Sequence, residues 1–216
     1  MTKKVKIEGP KFSREMIEAH FHMIYEEEEP ELTACIITGA QAEGVAIEKA
    51  VFSKVVFKNG TFVNACFEGV DMVDVLFENC DLSNASFHKG LFHRIVFKEC
   101  KLMGTDFSEA HLSHITIDES VARLSDFVDA HLKNVTFNDS SLKGANFYSS
   151  SLQHVYFDQC DLDDVQFKQM SLKGIDISTC TFDQLHVDLD CLNGCVVSPD
   201  QAIGFARLIG LTVKKQ

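Results

Sequence analysis

A large apolar residue recurs at every fifth position of this chain, and that spacing excludes most folds. In "FKNGTFVNACFEG" (57–69) it is Phe57, Phe62 and Phe67. An α-helix repeats near 3.6 residues and a flat strand at 2, so a period of five specifies neither. The series keeps phase from Ile47 to Leu192, and Ala122 is its one small member. Two positions before each large residue the chain is mostly small or β-branched, as at Ala65, Val75, Cys80, Ala85, Ala110, Ala130, Ala145 and Cys160. Two inward positions in every five describe a short flat side followed by a corner.

The number of sides in a coil follows from a longer period. Every twentieth residue gives Val55, Val75, Ile95, Ile115, Val135, Val155 and Ile175 in one series, and Phe67, Phe87, Phe107, Phe127, Phe147 and Phe167 in another. A third reads Cys80, Cys100, Ser120, Ser140, Cys160 and Cys180, and a fourth Leu112, Leu132, Leu152, Leu172 and Leu192. Such segregation follows if four sides close one coil and like residues stack, with strands of successive coils about 4.8 Å apart. The expected fold is all-β: a quadrilateral parallel β-helix over 32–197, with no insertion long enough to break phase. Ala122, in "DESVARLSDF", predicts a local bulge, with Val121 or Leu124 turned inward to fill the space.

A solenoid needs capped ends, because an open coil exposes core and unpaired backbone. In "SPDQAIGFARLIGLTV", Ser198 is an N-cap, Pro199 the first helical residue, Gln201 the far half of a capping box and Gly210 the stop. This 198–216 segment carries more apolar surface than one cap needs, so Ala202, Ile203, Phe205, Ala206 and Ile209 are expected at a homodimer interface. In the 1–31 segment, Ser13 and a Phe12–Ile17 staple predict a helix near 13–26, with Met16, Ile17, Phe21 and Ile24 on its apolar face.

Net charge is −12 over 216 residues. That argues against direct contact with nucleic acid or anionic membrane, and it suits a basic partner as well as plain solubility. Residues 32–197 hold 23 acidic and 12 basic side chains, a net of −11. Spread over roughly 40 Å of coils, this is about half the linear charge density of B-DNA. Glu78, Glu99, Asp118, Glu119, Asp139 and Asp158 fall on one side of successive coils, with Leu76, Val96 and Tyr156 among them as exposed apolar residues. Another side bears His93, Arg94, His111, His114, His131, Lys133 and His154. "MTKKVKIEGP" has no apolar stretch after its lysines, and eight cysteines without an export signal suggest free thiols in the cytoplasm. Cys180, His186, Cys191 and Cys195 invite a zinc reading, but the phase turns Cys180 and Cys195 inward on different sides and His186 and Cys191 outward. No catalytic fingerprint is present and a filled interior leaves no cavity, so neither an enzyme, a metal nor a cofactor is expected.

The continuous A/C-x-F/L-x-x repeat with a short C-terminal helix resembles the pentapeptide-repeat proteins. "SLKGIDISTCTFDQLHV…VSPDQAIGFARLIGLTV" is similar to the tail of quinolone-resistance (Qnr-type) proteins of Gram-positive bacteria. The resemblance implies a right-handed coil and a homodimer joined through its C-terminal ends. It also implies binding to DNA gyrase, with topoisomerase IV as a second target, by duplex mimicry that protects them from fluoroquinolones. Some members use extruded loops, which the unbroken phase here does not provide. The alternative is a non-enzymatic scaffold whose faces bind another protein.

Overall fold

The structure, a computed structural model, describes residues 5–25, 29–208 and 210–214. Eight parallel strands form one sheet in sequential order: β1 (Ile17–Ala19), β2 (Glu31–Thr38), β3 (Val51–Lys58), β4 (Asp71–Glu78), β5 (Leu91–Lys98), β6 (His111–Asp118), β7 (His131–Asn138) and β8 (Ser151–Asp158). From β2 to β8 the register is a constant twenty, as in Phe57↔Phe77 and Val75↔Ile95. Each of these strands bends through a corner and so supplies two walls. The other two walls are built by single bridges with the same offset, such as Thr61↔Asp81 and Cys66↔Ser86. We number the walls by their inward residues: Phe52 for the first, Phe57 the second, Phe62 the third, Phe67 the fourth. Two short strands, β9 (Val165–Phe167) and β10 (Leu185–Val187), continue the coil at the same offset.

Filling of the tube explains the period. On the fourth wall Phe67, Phe87, Phe107, Phe127, Phe147 and Phe167 stack with ring centroids 4.6–5.8 Å apart. On the opposite second wall Phe57, Phe77 and Phe97 stack at 4.9 and 5.1 Å. The two columns meet edge-on, as Phe137 does with Phe147 at 6.0 Å. Each ring is buried, and removing one from water contributes roughly 1.5–3 kcal/mol. Corners need a backbone that turns without a Cβ clash. The corner residues therefore adopt positive φ, satisfied by Gly39 and Gly69 but also by Asn, Asp, Lys, Glu and His. The Cys/Ser series lies inside the corner between the second and third walls. There Ser120 Oγ and Ser140 Oγ each accept a backbone N–H from the preceding coil at 3.0 Å. The thiols of Cys80, Cys100 and Cys160 point to backbone carbonyls, and all eight cysteines are free.

Three expectations are corrected. Ala122 causes no bulge: Val121 bridges Lys101 and Ser141 in normal register, and Val121 and Leu124 face solvent. Turning them inward would break the Ala122 N–H to Ser141 O and Leu124 N–H to Lys143 O bonds, at 2.7 and 2.9 Å. Two buried backbone donors left without partners would offset what filling the space beside Ala122 could gain. Cys191 is buried rather than outward, because a 3-10 turn at Leu189–Leu192 replaces the regular side there, and the offset of twenty resumes at Asp176↔Val196.

The N-terminal segment is not an α-helix. Residues 17–19 form β1, pairing Ile17 with Cys35, and Phe21–Tyr25 form a 3-10 turn. The open first coil presents unpaired strand backbone, and a parallel strand satisfies it where a helix could not. Phe21 then plugs the tube, its ring 5.7 Å from Phe62 and 6.4 Å from Phe57 and Phe67. Ile17, expected on the apolar face, is exposed.

The C-terminal helix follows the sequence reading. It is α1 (Pro199–Leu208), with Ser198 N–H to Gln201 Oε1 at 2.9 Å and Gln201 N–H to Ser198 Oγ at 3.3 Å. Gln201 also donates to the carbonyls of Ile177 and Cys180, tying the helix to the last coil. Gly210 ends it with φ +79°.

Candidate functional site

The six predicted acidic residues lie along one edge of the tube, where the second and third walls meet. Glu99, Glu119 and Asp139 occupy consecutive corners, exposed, with φ +53°, +47° and +44°. Glu78, Asp118 and Asp158 stand beside them in the neighbouring column of the second wall, which Lys58, Lys98 and Asn138 interrupt. Four coil steps separate Glu78 from Asp158, about 19 Å. Glu78 pairs with Lys58 at 3.1 Å and Glu99 with Lys98 at 3.6 Å. Asp118 accepts from Asn138 Nδ2, and Asp158 from Thr179 Oγ1. Glu119 and Asp139 form no ion pair among the described residues. The edge is a row of solvated carboxylates with its least neutralised stretch at the centre.

Sequence reasoning missed what happens at the edge between the first and second walls. Residues 5–11 run along it as an extended strap. Val5 N–H donates to Tyr156 Oη at 2.8 Å, Glu8 N–H to His114 Nδ1 at 3.1 Å, and Lys11 N–H to Asp74 Oδ1 at 2.8 Å. Six residues of extended chain reach about 20 Å, which matches the four coils between Asp74 and His154 at about 4.8 Å each. Beneath the strap, corner side chains bond from coil to coil. Arg94 grips Asp74 through Nε and Nη2 at 2.6 and 2.8 Å, and its Nη1 meets His93 Nε2. Asn134 bridges His114 and His154. Asn134 Nδ2 lies 3.1 Å from His114 Nε2, and Asn134 Oδ1 lies 3.2 Å from His154 Nδ1.

Electrostatics follow the burial. Desolvation raises the Asp74 carboxyl, but the Arg94 guanidinium and the Lys11 amide outweigh it and hold the group below the usual carboxylate range. Burial lowers the His93 imidazole, and the Arg94 charge lowers it further. Leu76, Val96 and Tyr156, expected as exposed apolar residues, are half-buried. A faint signal for the strap was present: Val5 and Ile7 alternate with Lys6 and Glu8, the period of an extended segment.

The other candidate groups disperse. His111 and His131 lie one coil apart with ring centroids 4.7 Å apart and planes tilted by 48°, and His131 Nδ1 is 2.7 Å from Ser151 Oγ. Among the described residues no group of three or more His, Cys, Asp or Glu is placed to hold a metal ion, and no helix is long and apolar enough to cross a membrane. On α1, Ala202 and Ile203 face solvent, Phe205 turns back against Phe182 at 5.8 Å, and Ala206 is half-buried. Ile209 lies outside the described residues.

A four-walled coil of five-residue sides defines a class of solenoid proteins. The pentapeptide repeat region family matches residues 70–147 and 125–187, and the pentapeptide repeats (8 copies) family matches 35–74. The chain belongs to the pentapeptide-repeat family. No curated protein matches it significantly by sequence. Among solved structures it is similar to HetL, a pentapeptide repeat protein involved in heterocyst differentiation regulation from the cyanobacterium Nostoc. That match has 14% identity and TM-score 0.39, covering 78% of this chain and 90% of HetL. It is also similar to full-length QnrB1, a plasmid-mediated fluoroquinolone resistance protein. Here identity is 18% and TM-score 0.38, with 82% of this chain and 100% of QnrB1 covered.

Proposed function

We propose that this protein is a Qnr-type topoisomerase-binding protein that presents its acidic edge to the basic DNA-binding surface of gyrase or topoisomerase IV and protects the enzyme from fluoroquinolones. The observation that carries this reading is the carboxylate row from Glu78 to Asp158, free of ion pairs at Glu119 and Asp139 among the described residues and fixed at a constant coil spacing on a rigid tube. A mimic with half the charge density of duplex DNA depends on placement as much as on total charge. A rigid repeat supplies placement at no ordering cost on binding. The tail resemblance supports the same reading. Dimerisation through Ala202, Ile203 and the rest of α1 would double the rod's length.

A supercoiling assay tests the function. With ciprofloxacin present, added protein should restore gyrase supercoiling of relaxed plasmid. No restoration at any protein concentration would sink the reading and leave the scaffold alternative in its place.

A further inference from the structure

The pentapeptide around Ala122 inverts the usual pattern of the tube: its small residue points in and its large apolar residues point out. Ala122 is fully buried, whereas Val121 is 40% and Leu124 66% exposed. Met103, one coil earlier on the same third wall, is 46% exposed. Leu124 is also the wrong residue for its backbone. It sits at a corner with φ +56°, where the same column carries Gly44, Asn64, Asn84, Gly104, Gly144 and Asp164. Apart from Ala34, it is the one apolar non-glycine residue among the described positive-φ positions. A bulky γ-branched side chain is strained there and buries little of itself. Gly144, in the next coil, leaves room for it: a Cβ at that position would lie 2.8 Å from Leu124 Cδ2. Local strain, exposed apolar surface and a small core residue all coincide in one repeat. Residues that break the local rules without a folding gain mark function.

The surroundings say what such a knob meets. Arg123 stands beside it, exposed, its Nε 3.0 Å from Ser141 Oγ. Lys101 and Lys143 on the same wall are paired with Asp81 and Asp163, but Arg123 has no ion pair among the described residues. An apolar knob beside an unpaired guanidinium fits an apolar pocket with a carboxylate at its rim. Such a surface is the reverse in charge of what the acidic edge needs. We propose that Leu124, flanked by Val121, Met103 and Arg123, is a second docking contact that enters an apolar, acid-rimmed pocket on the topoisomerase. This rests on the topoisomerase reading.

Leu124→Asn is the test, because asparagine already occupies this column at 64 and 84 with φ +56° and +55°. The variant should fold with an unchanged or higher thermal midpoint and bind purified gyrase about tenfold more weakly. The weakening should be equal at low and high salt, since an apolar contact is not screened. A Glu99→Lys, Glu119→Lys, Asp139→Lys variant, in contrast, should lose most at low salt. Leu124→Gly is the second variant, matching the glycines that flank it in the column at 104 and 144, and should behave as Leu124→Asn does. Wild-type affinity in both Leu124 variants overturns the inference and leaves the acidic edge standing. No binding of gyrase by the wild-type chain overturns both.

Discussion

Two edges of the same tube share one backbone and differ in nearly everything else. At the edge between the second and third walls, the corner residues Glu99, Glu119 and Asp139 are exposed to solvent, and only Glu99 among them has an ion pair among the described residues, with Lys98. At the edge between the first and second walls, Asp74 and Asn134 are 3% and 7% exposed beneath the strap, within a chain of side-chain hydrogen bonds. The corner dihedrals are alike, φ +59° at Asp74 and +53° at Glu99. The repeat therefore sets where side chains stand but not what they do. An acidic corner becomes structural when a cation and a strap close over it, and available to a partner when nothing does. Counting carboxylates along a solenoid overestimates the surface it offers.

The largest expected effect breaks the covered edge. Asp74→Ala removes the partner of Arg94 and the acceptor of the Lys11 amide, leaving a poorly solvated guanidinium. We expect a loss of about 3 kcal/mol in unfolding free energy, read by urea denaturation, with little change in gyrase affinity. A loss below that of an ordinary surface substitution would mean that the two edges are equivalent.

Next in size is the reversal of the bare edge. Glu99→Lys, Glu119→Lys and Asp139→Lys together should weaken gyrase binding at low salt by about thirtyfold, roughly 2 kcal/mol. Stability should hold within about 0.5 kcal/mol, because lysine already occupies positive-φ corners at 49, 54 and 89. Titration calorimetry and a melting curve on one preparation check both halves.

The smallest effect is pH dependence. The folded protein holds Asp74 below its usual range, so the stability it contributes is present above about pH 4 and is lost as pH falls through the folded value. His93 is also lowered, so the unfolded chain takes up its proton first, and stability declines as pH falls below about 6.5. Unfolding free energy should therefore fall in two stages on acidification, and Asp74→Asn should flatten the lower one. An identical acid limb in that variant would place the titrating groups elsewhere.

The tube is legible in the sequence because its determinants are local and repeated. Phe67, Phe87 and Phe107 announce their stacking by spacing alone, and the capping box at Ser198 and Gln201 needs only four residues to be seen. The acidic residues can be placed on one edge for the same reason. What escapes depends on pairings set by neither period nor local motif. Val5 meets Tyr156 across 151 positions, and no spacing predicts that. The N-terminal cap departs from expectation because its helix-like apolar pattern at Ile17, Phe21 and Ile24 competes with the unpaired edge of the first coil, and the edge prevails. At Ala122 the pattern suggests a repair inside the core, whereas inter-coil hydrogen bonds keep the corner in place and leave Leu124 outside.

Competition for gyrase between this protein and a fluorescent DNA duplex tests the central claim most directly. The account predicts that the protein displaces the duplex, that displacement weakens as salt rises, and that the Glu99→Lys, Glu119→Lys, Asp139→Lys variant fails to displace it. A ternary complex in which gyrase holds the duplex with undiminished affinity while bound to this protein would contradict it.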